Sequence, residues 1–177
     1  MRGWLAFGLM LSVAASAQTR DSDVSFREGA AWEEMQAQLP EYPKPENYLP
    51  LQVSATALFA FFVDAKSVSV GKDGVVRYSL IARSPEGAIN VSYEGIRCSE
   101  RKYRIYAFGR PDNTWFEARG SLWHAMPADS RNAQRTVLYS EYFCPGGGII
   151  YTAAEGVDAL RAGGHPRAAF SRFKSGS

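Results

Sequence analysis

The sequence is poor in cysteine and histidine, two residue types that many enzymes use for nucleophilic or acid–base chemistry. In 177 residues it contains two cysteines, Cys98 and Cys144, and two histidines, His124 and His165. No Cys-x-x-Cys motif is present, so nothing indicates a thiol oxidoreductase. The isolated cysteines and histidines also lack the spacing of metal ligands. No Gly-x-Ser-x-Gly motif occurs, so a hydrolase nucleophile elbow is not indicated either.

Phosphate-binding motifs and a strong charge excess are absent as well. The run Gly146-Gly147-Gly148 lacks the Gly-x-x-x-x-Gly-Lys-Ser/Thr form, and we interpret it as the end of a helix. The formal net charge is only +2. We therefore predict no cofactor and do not expect nucleic acid as a partner.

One apolar run stands out, and it lies at the start of the chain. A basic residue at Arg2, an apolar stretch from Trp4 to Val13 and the small residues Ala15-Ser16-Ala17 are typical of a secretory signal. This run is too short to span a bilayer, and no later stretch approaches that length. We predict that residues 1–17 are a cleaved signal peptide, that no transmembrane segment remains and that the protein is periplasmic. An uncleaved membrane anchor is the alternative.

Export changes the interpretation of the two cysteines. In an oxidising compartment, Cys98 and Cys144 form the one intramolecular pair that the sequence allows. We therefore predict a disulfide. Two separate buried thiols are the alternative.

The remaining length fits a single domain. We predict an N-terminal helix and a proline-rich strap over residues 18–51, an α+β core over 52–164 and a mobile basic tail over 165–177. Ser25 and Glu28 have the spacing of a helix capping box. Pro40, Pro43 and Pro45 then prevent the helix from continuing.

The central part of the chain has the signature of strands joined by tight turns. The apolar run Leu58–Val63 predicts a strand buried on both faces, and Asp73-Gly74 between two β-rich runs predicts a hairpin. In residues 75–83 and 88–110 apolar and polar residues alternate, as in strands with one buried face. The short connections require antiparallel pairing. We therefore predict an antiparallel meander of five or six strands.

Two helices are expected after the sheet. Asp129 can cap a helix over residues 130–143 that brings Cys144 to its end. Thr152 and Glu155 form a capping box for a second helix, Ala153–Ala162, which Gly163 ends. The fold class is therefore α+β, with helices on one face of the sheet and a disulfide that joins a helix end to a hairpin.

A family resemblance covers roughly residues 32–145. The segment from Phe61 to Arg110, above all its VSYEGIRC and YAFG portions, together with WEE upstream and YSEYFCP downstream, resembles the cryptic neisserial protein-like family of exported proteobacterial proteins. The resemblance implies an envelope location in a Gram-negative cell and supports pairing Cys98 with Cys144. It implies no enzymatic activity and no catalytic residues.

The remaining functional signal is a basic and aromatic surface. The hairpin around residues 97–115 concentrates cations and aromatic rings that could form one interaction face, namely Arg97, Lys102, Arg104, Tyr106, Arg110 and Trp115. We predict a non-catalytic binding or interaction module of the cell envelope, with an envelope component or a protein as its unidentified partner. Solvated charges above buried rings would make this face inert. The alternative function is an envelope hydrolase with a site around His124.

Overall fold

The computed structural model describes residues 32–54, 57–126 and 133–168, and these form a single α+β domain. Its centre is an antiparallel sheet whose main path has the order β1-β2-β4-β5-β6-β7. Two short strands complete it, because β3 pairs with β4 and β8 pairs with β6. The strands are β1 (Tyr48–Leu51), β2 (Ala60–Asp64), β3 (Ser69–Val70), β4 (Val75–Arg83), β5 (Ile89–Arg97), β6 (Lys102–Gly109), β7 (Trp115–Glu117) and β8 (His124–Ala125).

The meander predicted from the sequence is confirmed. Strands β4, β5 and β6 follow one another through short turns, and Gly74 adopts the left-handed conformation that the first hairpin requires. Between β5 and β6 the register shifts, because Ile105 pairs with Glu94 while Ala107 pairs with Tyr93. Tyr106 is therefore the extra residue of a β-bulge.

Helices cover one face of the sheet, as predicted. Helix α1 (Ala133–Val137) continues as a π-helical segment over Leu138–Phe143, and helix α2 is Ala153–Ala162. Tyr78 and Ile96 of the sheet lie in one buried cluster with side chains of both helices. Thr152 caps α2 by accepting a hydrogen bond from the Glu155 amide, and Gly163 ends the helix.

The predicted disulfide is present. Cys98 follows β5 directly and is bonded to Cys144, which follows the π-helical segment. The bond joins the hairpin to the helix end across 46 residues of sequence.

The opposite face of the sheet is covered too, which the sequence analysis did not predict. Residues 32–44, which we call the covering segment, have no regular secondary structure and lie across this face. Arg77, which the alternation placed on an exposed face, is buried beneath this segment, and Ser79 on the same face is buried as well. Sheet residues on both faces of β4 therefore belong to the interior.

Three other predictions need correction or fall outside the described residues. The run before β2 is not buried, since Leu58 is 80% exposed and Phe59 is also exposed. The helix predicted from Ser25 begins outside the described residues, and the chain from Trp32 to Lys44 is not helical. His165 is buried, so the chain is packed beyond the point where the mobile tail was expected to begin, and residues 169–177 are not described.

The described residues contain neither a membrane-spanning helix nor a group of potential metal ligands. None of their helices combines the length and apolar character needed to cross a membrane. No three of their His, Cys, Asp or Glu side chains are grouped in a way that could hold a metal ion.

Candidate functional site

A carboxylate of the covering segment binds two of the predicted basic and aromatic residues, Arg104 and Tyr106. Glu34 accepts hydrogen bonds from Arg104 Nη1 at 2.6 Å, Tyr106 Oη at 2.7 Å and Trp123 Nε1 at 3.0 Å. We call these three donors the carboxylate cradle. Burial and the hydrogen bond to Glu34 raise the pKa of Tyr106 well above its usual value, so its hydroxyl stays protonated and donates.

The six predicted surface residues lie on neighbouring strands, but they do not form one open face. Arg104 and Tyr106 bind Glu34, and the Trp115 indole donates to the Pro40 carbonyl at 2.9 Å. The guanidinium of Arg97 lies over the Trp32 ring, 3.5 Å from its centroid.

The remaining two of the six predicted residues, Lys102 and Arg110, have different surroundings. Lys102 forms an exposed ion pair with Glu100 at 2.6 Å. Arg110 is exposed, and its guanidinium lies over the Phe116 ring. Of the six predicted residues, Arg110 is therefore the one whose charge is most accessible to a ligand.

Arg110 lies beside the largest cavity described for this domain. The cavity is a groove of about 790 Å³ between the end of the covering segment and the ends of β5 and β6, and we call it the end groove. Its lining is largely apolar and aromatic, with tyrosines, prolines and aliphatic side chains. This composition and volume are typical of small-molecule sites. The lining residues that matter chemically are Tyr42, Lys44, Tyr48, Ile89, Val91 and Arg110.

The wall of the end groove is fixed by close packing. The Tyr42 ring lies 5.2 Å from the Trp115 ring, and its hydroxyl donates to the Arg110 carbonyl at 3.3 Å. A Cβ atom at Gly109 would meet that hydroxyl at 2.5 Å, so only glycine leaves room for the tyrosine there. Burial, and then the nearby Asp112 carboxylate, raise the pKa of Tyr42, which keeps the phenol neutral.

The charged side chains that line the end groove are both cationic. They are Lys44 and Arg110, and none of the described lining residues is acidic. Carboxylates lie just outside the lining, since Asp112 acts on Arg110 and Tyr42, and Glu46 and Asp64 act on Tyr48. The groove therefore offers an apolar interior and two cations to a ligand.

His124 has surroundings that do not suit a general base. It is exposed on β8, and its ring lies 5.6 Å from the Tyr103 ring. In the described part of the chain, no hydrogen bond or ion pair joins it to a carboxylate that would orient it. This geometry gives the hydrolase alternative no acid–base pair.

The sequence analysis missed the residues that cover the basic face. Trp32 and Glu34 precede the first strand and were expected in the helix predicted from Ser25, so no pattern placed them on the sheet. One signal was available, because residues 18–47 have seven acidic residues against three basic ones, opposite in sign to the hairpin. Opposite charge alone did not identify Glu34 as the acidic residue that contacts the hairpin.

Comparison with known proteins gives one family and one curated relative. The sequence model of the CNP1-like family matches residues 27–161. "Cryptic neisserial protein 1" of Neisseria gonorrhoeae is 32% identical over 98 residues, which are 48% of this chain and 48% of that protein. The chain thus spans about half the length of the curated relative. No solved structure matches.

Proposed function

The chain belongs to the CNP1-like family, and from that premise we propose that it is a non-catalytic periplasmic binding module whose ligand occupies the end groove. The ligand class is a small apolar or aromatic molecule with an anionic group. The carrying observation is the charge of the groove, in which an apolar interior is combined with Lys44 and Arg110 and with no acidic lining residue among those described.

The chemistry of the lining supports this ligand class. Tyr42, Tyr48 and Ile89 offer apolar surface to a ring or alkyl chain. A carboxylate at the same end would pair with Lys44 or Arg110, and a hydrogen bond to a charged group is stronger than one between neutral groups. The neutral phenol of Tyr42 adds no negative charge that would repel the anion.

Two features support the cellular location in this proposal. Residues 1–17 have the pattern of an export signal. The Cys98–Cys144 disulfide suits an oxidising compartment such as the periplasm. Detection of the mature N-terminus at Gln18 in the periplasmic fraction would test the location directly.

Ligand binding is tested by calorimetric titration with phenylacetate and with its neutral amide, phenylacetamide. We expect the full chain to bind phenylacetate more tightly than the amide. The double variant Lys44→Gln/Arg110→Gln is expected to lose about tenfold in affinity for the anion, because it loses the charge-assisted contacts. Affinity for phenylacetamide should change little.

Lys72→Gln serves as the matched control, since Lys72 is an exposed cation that does not line the groove. It should leave phenylacetate binding unchanged. Equal affinity for the anion and the amide, or equal loss in Lys72→Gln and the double variant, would contradict the proposal.

A further inference from the structure

The first residues of the covering segment contact the sheet in the way that a bound peptide contacts its receptor. Trp32 and Glu34 each contact a set of side chains on the sheet face, although Trp32 remains 37% exposed, and Glu33 between them is exposed. Alternate side chains therefore point toward the sheet, which is the pattern of an extended peptide in a recognition groove.

Trp32 is held by three contacts. Its ring stacks on the Arg97 guanidinium at 3.5 Å and meets the Trp123 ring edge-on at 6.0 Å. Its indole nitrogen donates to the Asp73 carbonyl at 2.7 Å. An aromatic ring that uses both its face and its N–H is the type of anchor that dominates binding at protein interfaces.

Glu34 is the second anchor, and its carboxylate occupies the cradle. Three donors lie within 3.0 Å of its oxygens, and Arg77 Nη2 is 3.9 Å from one of them. The side chain is only 17% exposed. Such a set of donors recognises a carboxylate in general and does not depend on which chain supplies it.

The backbone of the next residue is clamped at both polar groups. The Met35 amide donates to Asp73 Oδ2 at 3.0 Å, and its carbonyl accepts from Arg77 Nη2 at 3.0 Å. Asp73 and Arg77 are themselves paired at 2.6 Å and are almost fully buried. These two contacts recognise the backbone of this residue and not its side chain, since Met35 is 47% exposed.

The covering segment does not supply a hydrogen-bond acceptor to every buried donor on this face. The Nε atoms of Arg77, Arg97 and Arg104 are buried and have no hydrogen-bond partner within the described part of the chain. A buried, unpaired donor on a charged group is costly. The three guanidinium groups already pair through Nη atoms with Asp73, Glu100 and Glu34. The resident segment therefore leaves open an acceptor for the Nε atoms, which a further acidic side chain of an occupant would supply.

The segment is also attached in a way that allows exchange. No backbone–backbone hydrogen bond joins residues 32–44 to a strand among those described. Its first residues, 32–35, can therefore leave the sheet face without disrupting the β-ladder, while Tyr42 stays packed against Trp115 in the wall of the end groove.

From these contacts we infer that the sheet face formed by Arg77, Arg97, Arg104, Tyr106 and Trp123 is a peptide-recognition surface. Residues 32–35 are its intramolecular occupant. The partner is a segment of another protein, extended, with an aromatic residue, an acidic residue two positions later and further acidic side chains. This partner exchanges with the covering segment.

The test uses the full chain and one fluorescent probe, the acetylated and amidated octapeptide Trp-Glu-Glu-Met-Gln-Ala-Gln-Leu, which copies residues 32–39. Binding is followed by fluorescence anisotropy. The Glu34→Gln variant keeps the side-chain volume but removes the resident carboxylate, so the probe should bind it about tenfold more tightly than it binds the wild-type chain. Glu33→Gln is the matched control and should bind the probe as the wild type does.

A second probe has glutamine in place of its second glutamate, the equivalent of Glu34, and should lose at least about tenfold in affinity for the Glu34→Gln chain. A probe changed at its first glutamate should keep its affinity. If the two altered probes bind the Glu34→Gln chain alike, the inference is wrong. It is also wrong if Glu34→Gln does not bind the original probe more tightly than Glu33→Gln does. Circular dichroism of both chain variants verifies that they remain folded.

Light scattering after size-exclusion chromatography distinguishes the source of the partner segment. A monomeric wild-type chain that still binds the probe supports a segment from another protein. A concentration-dependent dimer that the probe dissociates would show exchange between copies of this chain and would overturn the assignment to another protein.

Discussion

Glu94 on β5 and Arg135 on α1 form an ion pair inside the helix-covered side of the domain. Arg135 donates to the two Glu94 oxygens at 2.6 and 2.8 Å, and the Glu94 side chain has no exposed surface. Ser92 and Tyr78 donate to the same carboxylate. The arginine also lies over the Tyr103 ring. Four sheet and helix residues are thus organised around one buried carboxylate.

Removal of one partner of this pair should be strongly destabilising. Arg135→Ala leaves the Glu94 charge buried without its cation, and we expect a loss of about 3–5 kcal/mol in the free energy of unfolding. Urea denaturation followed by circular dichroism measures it. Arg161→Ala, which removes an arginine from an exposed ion pair, should change stability by less than about 1 kcal/mol. Similar losses in the two variants would contradict a special role for the buried pair.

The disulfide should account for a large part of the stability. Its loop of 46 residues restricts the unfolded chain by about 4 kcal/mol in the loop-entropy model. Cys98→Ala/Cys144→Ala, or reduction of the wild-type protein, should therefore lower the free energy of unfolding by a similar amount, which urea denaturation would show as a lower midpoint. Thiol titration of the native protein should find no free thiol, and two free thiols would disprove the bond.

Asp64 is a case in which removal of a charge should stabilise the protein. It is buried, its Oδ1 has no hydrogen-bond partner within the described residues, and burial raises the pKa of its carboxyl above 3.8. The folded state therefore binds the proton more tightly than the unfolded chain does. The charged form is penalised at neutral pH, and this penalty disappears as the pH falls through the folded pKa toward 3.8.

Asp64→Asn should accordingly raise the free energy of unfolding at neutral pH, and its advantage over the wild type should shrink as the solution is acidified. Parallel urea titrations across this pH range measure the difference. Asp158→Asn, at a carboxylate that is 73% exposed, is the control and should have little effect. A variant that is less stable than the wild type at neutral pH would show that the hydrogen bonds of the carboxylate outweigh its desolvation.

Gly95 should not tolerate a side chain. A Cβ atom there would lie 2.7 Å from the Tyr106 hydroxyl and 3.0 Å from a Val75 methyl group. Gly95→Ala should move Tyr106 away from Glu34 and lower stability by about 1–3 kcal/mol. Thermal unfolding measures the effect. Gly148→Ala is the control, because the nearest atom to its added methyl group is 3.8 Å away, and an equal loss there would remove the steric explanation.

Local patterns of the sequence predicted a large part of the fold. The turn at Asp73-Gly74, the capping box of Thr152 and Glu155, and the Cys98–Cys144 pair each depend on residues that act through nearby backbone or through a unique partner. Such features can be predicted from one sequence because few alternatives compete with them.

The face opposite the helices could not be predicted in this way. Arg77 and Ser79 follow the alternation of exposed strand positions, yet both are buried, and Arg77 is covered by a segment some forty residues earlier in the sequence. The bulge at Tyr106 also breaks strict alternation, since it places Ala107 opposite Tyr93. The run Leu58–Val63 was misleading only at its start, because Leu58 and Phe59 are exposed and precede the strand, whereas the rest of the run lies in β2.

The contacts of the predicted surface residues could not be predicted from the sequence, and of the six only Arg110 is among the described residues that line the end groove. Arg104, Tyr106 and Trp115 were identified from their residue types, and each of them contacts the covering segment. Their partners Glu34 and Pro40 became apparent only in three dimensions. Long-range pairing of single side chains leaves no periodic trace in one sequence.

Every hydrogen bond described between the covering segment and the sheet uses a side chain on at least one side. The β-ladder beneath is therefore complete without residues 32–44, whereas the position of those residues depends on side-chain identity at contacts such as Trp32 and Glu34. Substitution at these contacts should displace the segment while the scaffold keeps the same architecture.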